Sequence, residues 1–199
     1  MTSDAWDVLD WRRRVAELYR RVRGASEPAA AHRLWVAGRD ELLRRHPASP
    51  VPPAARDGYP GADVAAYDPA YRFVVSVDGA VEPERREVTT GTDGTVPMDR
   101  VGRVVLPGIG ELDVWWLGSY GGGIFLPVRD VSSASYGGGR YLLDTTKGAD
   151  LGGNADALVV DLNFAYQPSC AYDEAWACPL PGPTNRVGVA LPVGERYRP

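Results

Sequence analysis

Apolar residues recur at three- and four-residue steps only in the first quarter of the chain. Val8, Trp11, Val15, Leu18 and Val22 form one stripe, the repeat of a helix that buries a single face. Ser3 or Asp4 can cap its start, and Gly24 can stop it just after Arg23. A second helix is expected from Pro28, a residue suited to the first helical position. Leu34, Trp35 and Leu42 supply its inner face, Arg44 and Arg45 complement the dipole at its end, and His46-Pro47 closes it.

Beyond residue 46 the helical repeat disappears. Residues 47–69 hold six prolines and little periodicity, which reads as a connector, either ordered and irregular or a linker. After Asp68-Pro69 short apolar runs alternate with turn residues. They predict strands at 71–77, 87–90 with 95–98 around Thr92-Asp93-Gly94, 103–106 with 112–117, 124–130, 139–143, 158–164 and 187–191. The strands do not alternate with helices, so a parallel sheet is disfavoured. The expected architecture is α+β: two N-terminal helices packed on an antiparallel β-barrel or strongly bent sheet of about eight strands. All 199 residues are expected to form one domain, with a helical part (1–46), the Pro-rich connector (47–69) and a β part (70–199) carrying a C-terminal Cys-Pro loop.

Composition narrows the function classes. The 44% hydrophobic and 24% charged residues are those of a globular chain. A formal charge of -4 and a pI near 5.2 argue against nucleic-acid binding. The arginines at 12–14, 20, 21 and 23 are expected to form a solvated helix face. The first residues contain no apolar signal region, and no run approaches the ~20 apolar residues of a membrane span. A soluble, cytoplasmic protein is the expectation, with no membrane partner and cysteines kept reduced. Composition says nothing of the oligomeric state.

The chemistry-bearing residues gather in the stretch 136–196, with Arg129 just ahead of it. In a strand at 158–164 the two-residue period would set Asp161 and Asn163 on one face, opposite Leu158, Val160, Leu162 and Phe164. Arg129 and Arg140 are the available cations. One reading is an internal Asp–Arg bridge, with Asn163 holding a loop. The sharper one is a polar pocket at a barrel end: Arg140 binds an anionic group and Asp161 or Tyr166 handles a proton. Arg129 and Asn163 line that pocket, while Tyr172 and Trp176 form its wall. Cys170 and Cys178 could be free thiols, a packed pair, a disulfide or, least in keeping with the scarcity of histidine, part of a metal site. Cys170 is a candidate nucleophile, for which His46 is the available histidine base. Gly137, Gly138 and Gly139 precede a strand rather than a helix, so they suit a tight bend better than a phosphate loop. The six tryptophans suit core packing. No metal or organic cofactor is expected.

Several stretches resemble the bacterial DUF1684 domain of unknown function. They are AGRDELLRRHPASP (37–50), YDPAYRF (67–73), YGGGIFLPVRD (120–130), YGGGRYLLDTTKGADLG (136–152), DLNFAYQPSCAYDEAWACPLPGPTNR (161–186) and GER (194–196). The resemblance implies that both cysteines, Asn163, Tyr166, Pro168, Pro179 and Asn185 belong to the family signature, in a short, two-helix form. The chain departs from it at Gln167, where Asn is usual, and at Val187-Gly188, where Leu-Pro is usual. The family name carries no activity. Two functions therefore stand side by side: a small-molecule-binding protein or enzyme with a polar pocket, and a non-catalytic binding or scaffold module whose signature residues are structural.

Overall fold

The computed structural model describes residues 4–90, 94–118 and 120–198. Helix α1 (Ala5–Gly24) starts at Asp4, whose carboxylate accepts the Trp6 N–H at 3.1 Å and so satisfies one of the free amides of the first turn. Ser3 lies outside the described residues. Helix α2 (Pro28–Arg45) begins at the expected proline and buries Ala31, His32, Trp35, Leu42 and Leu43. The two helices meet where Gly38 faces Leu18: a Cβ there would sit 2.6 Å from Leu18 Cδ1. Trp35 is 1% exposed, packs against Phe164 with the ring centroids 5.3 Å apart and the planes tilted by 59°, and donates its indole N–H to the Tyr19 hydroxyl at 3.2 Å.

The proline-rich connector is ordered. Ser49 donates to the Leu43 carbonyl, Arg56 to the Val51 carbonyl and Arg44 to those of Tyr59 and Pro60. Strand β1 (Asp63–Val64) lies within it. After β2 (Arg72–Val75), an antiparallel meander follows: β3 (Arg85–Thr90), β4 (Gly94–Leu106), β5 (Gly110–Leu117), β6 (Gly123–Val128) and β7 (Arg140–Asp144), hydrogen-bonded in that order. Strands β8 (Leu158–Asp161) and β9 (Glu195–Arg196) pair antiparallel with β2 and β1 respectively. The class is α+β, with three separate sheets of five, two and two strands. None of them closes into a barrel among the described residues.

Three differences from the sequence reading have local causes. The strands expected at 95–98 and 103–106 are one strand, β4, because no turn separates them. A pairing irregularity between Arg100 and Gly102 bends it instead, and Gly102 leaves room there for Val77, whose Cγ1 a Cβ would meet at 2.3 Å. The strand expected at 158–164 stops at Asp161, whose side chain accepts the Asn163 N–H and turns 162–164 into a single 3-10 turn. Residues 187–191 are not a strand; this stretch meets the sheet through a lone parallel bridge between Arg129 and Arg186. The turn residues Thr92 and Asp93 fall outside the described residues.

One hydrophobic cluster joins helix residues such as Leu18, Val22 and Trp35 to Val104, Leu112, Leu126, Leu142 and Leu162 of the β part. Met98, Trp115, Leu117, Phe125 and Tyr141 form a second cluster toward the opposite side of the sheet. No described helix is long and apolar enough to cross a membrane.

Candidate functional site

The segment after β6 and the stretch around Arg186 are held together by Asn185, which is fully buried. Its amide donates to the carbonyls of Asp113 (2.8 Å) and Pro127 (3.0 Å), and its oxygen accepts the Trp115 indole N–H at 2.9 Å. Pro127 interrupts the regular pairing of β6 with β7, which leaves its carbonyl to Asn185. Arg129 then donates its backbone N–H to the Asn185 carbonyl and accepts the Val187 N–H, each at 2.9 Å. This parallel bridge sets Arg129 and Arg186 side by side.

A groove of about 360 Å³ opens there, lined by Arg129, Arg186, Ser132, Ser135, Tyr136 and Gly137, with Asp130 and Val187 at its base. Neither guanidinium has a carboxylate or hydrogen-bond partner among the described residues, and the Ser135 hydroxyl has none either. Asp130 is committed elsewhere: its oxygens take Arg140 (3.3 Å) and the backbone N–H groups of Leu191 (2.8 Å) and Ser132 (3.3 Å). Two guanidiniums in water repel by only about 1 kcal/mol at 4 Å. The fold therefore tolerates the two unpaired arginines at this small cost. Gly139 bends the chain out of the groove with φ at +91°, where a Cβ would lie 2.6 Å from Pro181.

Arg140 points the other way. It is 1% exposed and donates to the carbonyls of Val193 (2.6 Å), Glu195 (3.0 Å) and Leu191 (3.3 Å), while its Nε has no partner. Burial lowers its pKa against the pull of Asp130. Asp161 accepts both the backbone and the side-chain N–H of Asn163 and lies 3.4 Å from the Tyr67 hydroxyl and 3.8 Å from Arg72. Burial raises its pKa. Asn163 also brackets Asp68, donating to its carbonyl and accepting its N–H, both at 2.8 Å. Tyr172 donates to the fully buried Glu195 at 2.8 Å, inside an ion pair that Arg39 forms with both Glu195 oxygens.

Tyr166 lies on the other side of Arg39, in a cleft between the helices and the sheet. Its backbone bridges Tyr141, and Arg39 sits 4.8 Å above its ring. Tyr19, Asp144 and Lys147 share that cleft, whose volume is about 70 Å³. At ~10–15 Å³ each this is room for about five to seven waters. Burial raises the pKa of Asp144, which receives the Lys147 N–H at 3.3 Å.

Cys170 and Cys178 are both free and half-buried, in the loop that follows Tyr166. Tyr136, a wall of the groove, reaches over to Cys170: its hydroxyl lies 3.4 Å from that residue's carbonyl and 3.8 Å from its sulfur. Burial pushes the Tyr136 phenol up to about 12, with Cys170 adding to it. Trp176 is half-buried in the same loop.

The structure thus brings Arg129 and Tyr136 together and places Cys170 behind Tyr136. Arg140, Asp161 with Asn163, and Tyr166 with Tyr172, which share Arg39, lie in three other settings. Arg186, the second groove cation, and Asp130 were not nominated from sequence. Their only signal was position, next to Asn185 and Arg129.

The β part carries the kinship. Residues 57–196 match the family described as a protein of unknown function, DUF1684. The chain belongs to the DUF1684 family. The solution NMR structure of the uncharacterized protein from gene locus rrnAC0354 of Haloarcula marismortui is similar, at 31% sequence identity. The match covers 81% of this chain and 89% of that one with a TM-score of 0.59. None of the curated proteins matches the chain.

Proposed function

We propose that this DUF1684 protein is a cytoplasmic single-domain binder of a small anionic molecule, a carboxylate or a phosphate, held in the groove between Arg129 and Arg186. One observation carries the reading: Arg129 and Arg186 are bridged backbone to backbone and both line the groove, while neither guanidinium is paired with a carboxylate among the described residues and the Asp130 carboxylate in its lining is held by Arg140. Arginine's planar fork suits both anions in a bidentate fashion, and the Ser135 hydroxyl offers a further donor. In this reading the ligand sits where the meander leaves an open end, the place a closed barrel would have presented its mouth.

The same reading assigns Arg140, Asp161, Asn163 and Tyr172 to the scaffold, since their polar atoms, Arg140 Nε apart, are occupied by the chain itself. That much favours a binding module over an enzyme built on Asp161. Calorimetric titration with inorganic phosphate and with a dicarboxylate tests it. Wild type is expected to bind one of them with an affinity that weakens as salt rises, and Arg129→Ala and Arg186→Ala are each expected to weaken it about tenfold or more. Unchanged affinity in the double variant, or no anion binding by wild type at millimolar concentrations, overturns the proposal.

A further inference from the structure

The loop that carries the two cysteines is pinned on both sides. The Tyr141 hydroxyl donates to the Pro179 carbonyl at 2.6 Å, the Tyr136 hydroxyl donates to that of Cys170, and Tyr172 anchors the middle on Glu195. Pinned this way, residues eight positions apart face each other: the Cys170 backbone N–H donates to the Cys178 sulfur at 3.4 Å. Neither thiol is sealed in the core, since both are half-exposed. A structural pair of buried cysteines would be inert; this pair has access, donors and a fixed approach.

The two sulfurs are not equivalent. The Cys178 sulfur is surrounded by groups that favour its thiolate: the Cys170 thiol first, then the Cys170 N–H, the positive charge of Lys147 and the Tyr141 hydroxyl. They pull its pKa down to about 6 despite burial. Cys170 is shifted upward, chiefly because it supplies its proton to Cys178. These surroundings favour the thiolate on Cys178 and the thiol on Cys170.

We propose that Cys178 and Cys170 form a dithiol–disulfide couple that reduces small disulfides, Cys178 attacking and Cys170 resolving. In the first step the Cys178 thiolate attacks one sulfur of R–S–S–R; the Cys178 S–S bond forms, the substrate S–S bond breaks and RS⁻ leaves. In the second, Cys170 gives its proton to water and attacks the Cys178 sulfur, releasing the second RS⁻. The substrate gains two electrons, the protein loses two, and one proton is released. A thiolate whose pKa lies close to ambient pH is the better attacker, because lowering the pKa further costs nucleophilicity. This inference does not rest on the anion groove, which Tyr136 borders from its other side.

The test uses the reduced full-length protein and an aromatic disulfide whose thiolate is coloured. Wild type is expected to release two equivalents of thiolate and to finish as an internally bridged chain, about 2 Da lighter by intact mass. Cys170→Ser is expected to release one equivalent and to retain the mixed disulfide. Cys178→Ser is expected to react at least about tenfold more slowly. Wild type that ends carrying two mixed disulfides, or single variants that react at equal rates, overturns the proposal. A glutathione redox titration of wild type, read by mass, gives a second measure. A bridge that never forms at any ratio also overturns it.

Discussion

Arg129 directly follows one strand and Arg140 opens the next, yet they live in opposite surroundings. Arg140 is sealed in and spent on Asp130 and on three carbonyls of the C-terminal stretch. Arg129 uses only its backbone for structure and leaves its guanidinium to the groove. A charge buried with partners is weak evidence for function, because removing it mainly leaves those partners stranded. A half-exposed guanidinium left unpaired beside a like charge adds little to the fold, and that is the ground for the binding role proposed for it. The same division runs through the molecule. Asp161 with Asn163, and Arg39 with Glu195 and Tyr172, lie on the Arg140 side of it; Arg186 lies on the other.

The comparison can be broken most forcefully at Arg140. Arg140→Met is expected to destabilise the protein by about 3–5 kcal/mol in urea unfolding, since Asp130 and three carbonyls lose their partner. A loss below about 1 kcal/mol would show that the buried cation is dispensable. Asn185→Ala should cost roughly 2–4 kcal/mol, through the stranded Trp115 N–H and two carbonyls. It should weaken anion binding as well, because Asn185 fixes the stretch that carries Arg186. Arg129→Ala and Arg186→Ala are expected to stay within about 0.5 kcal/mol of wild type in stability while losing the ligand. A larger drop in stability would place them with Arg140.

The smallest effect concerns Asp144. Its pKa in the folded chain is raised above the ordinary 3.8 by burial, so the folded state holds the proton more tightly than the unfolded one. Stability from this group is then present at low pH and is lost as pH rises from about 4 through the raised value. Asp144→Asn keeps an acceptor for the Lys147 N–H without the buried charge. It is expected to be more stable than wild type by up to about 1 kcal/mol at pH 7, with the gap closing near pH 4. Paired unfolding curves at the two pH values measure it, and a constant gap would contradict the assigned cause.

Much of the frame was legible because it rests on local signals. The helix stripe, Pro28 at the second helix start and the turn residues between β4 and β5 each act over a few positions. What was not legible depends on distant neighbours. Asp161 and Asn163 alternate as strand residues do, but a local hydrogen bond from Asn163 to the Asp161 side chain won over the strand pattern. Arg129 and Arg140 carry the same side chain, and only the return of residues 185–195 decides which is covered. Cys178 became distinct from Cys170 only once the loop folded back so that the Cys170 thiol and N–H reached its sulfur, with Lys147 and Tyr141 from far upstream adding to the effect.

The short ladder between β1 and β9 has a kinetic consequence. It is reinforced by the ion pair of Arg196 with Asp63, residues 133 positions apart, and it encloses the whole of the meander. Closing a loop of that size costs chain entropy before the contact returns anything, and pairings this remote belong to slowly folding topologies. The ladder should therefore form late, after the meander, and be among the first contacts to open. Native-state hydrogen exchange would find the Ala65 amide, which donates to Gly194, less protected than the amides of β5.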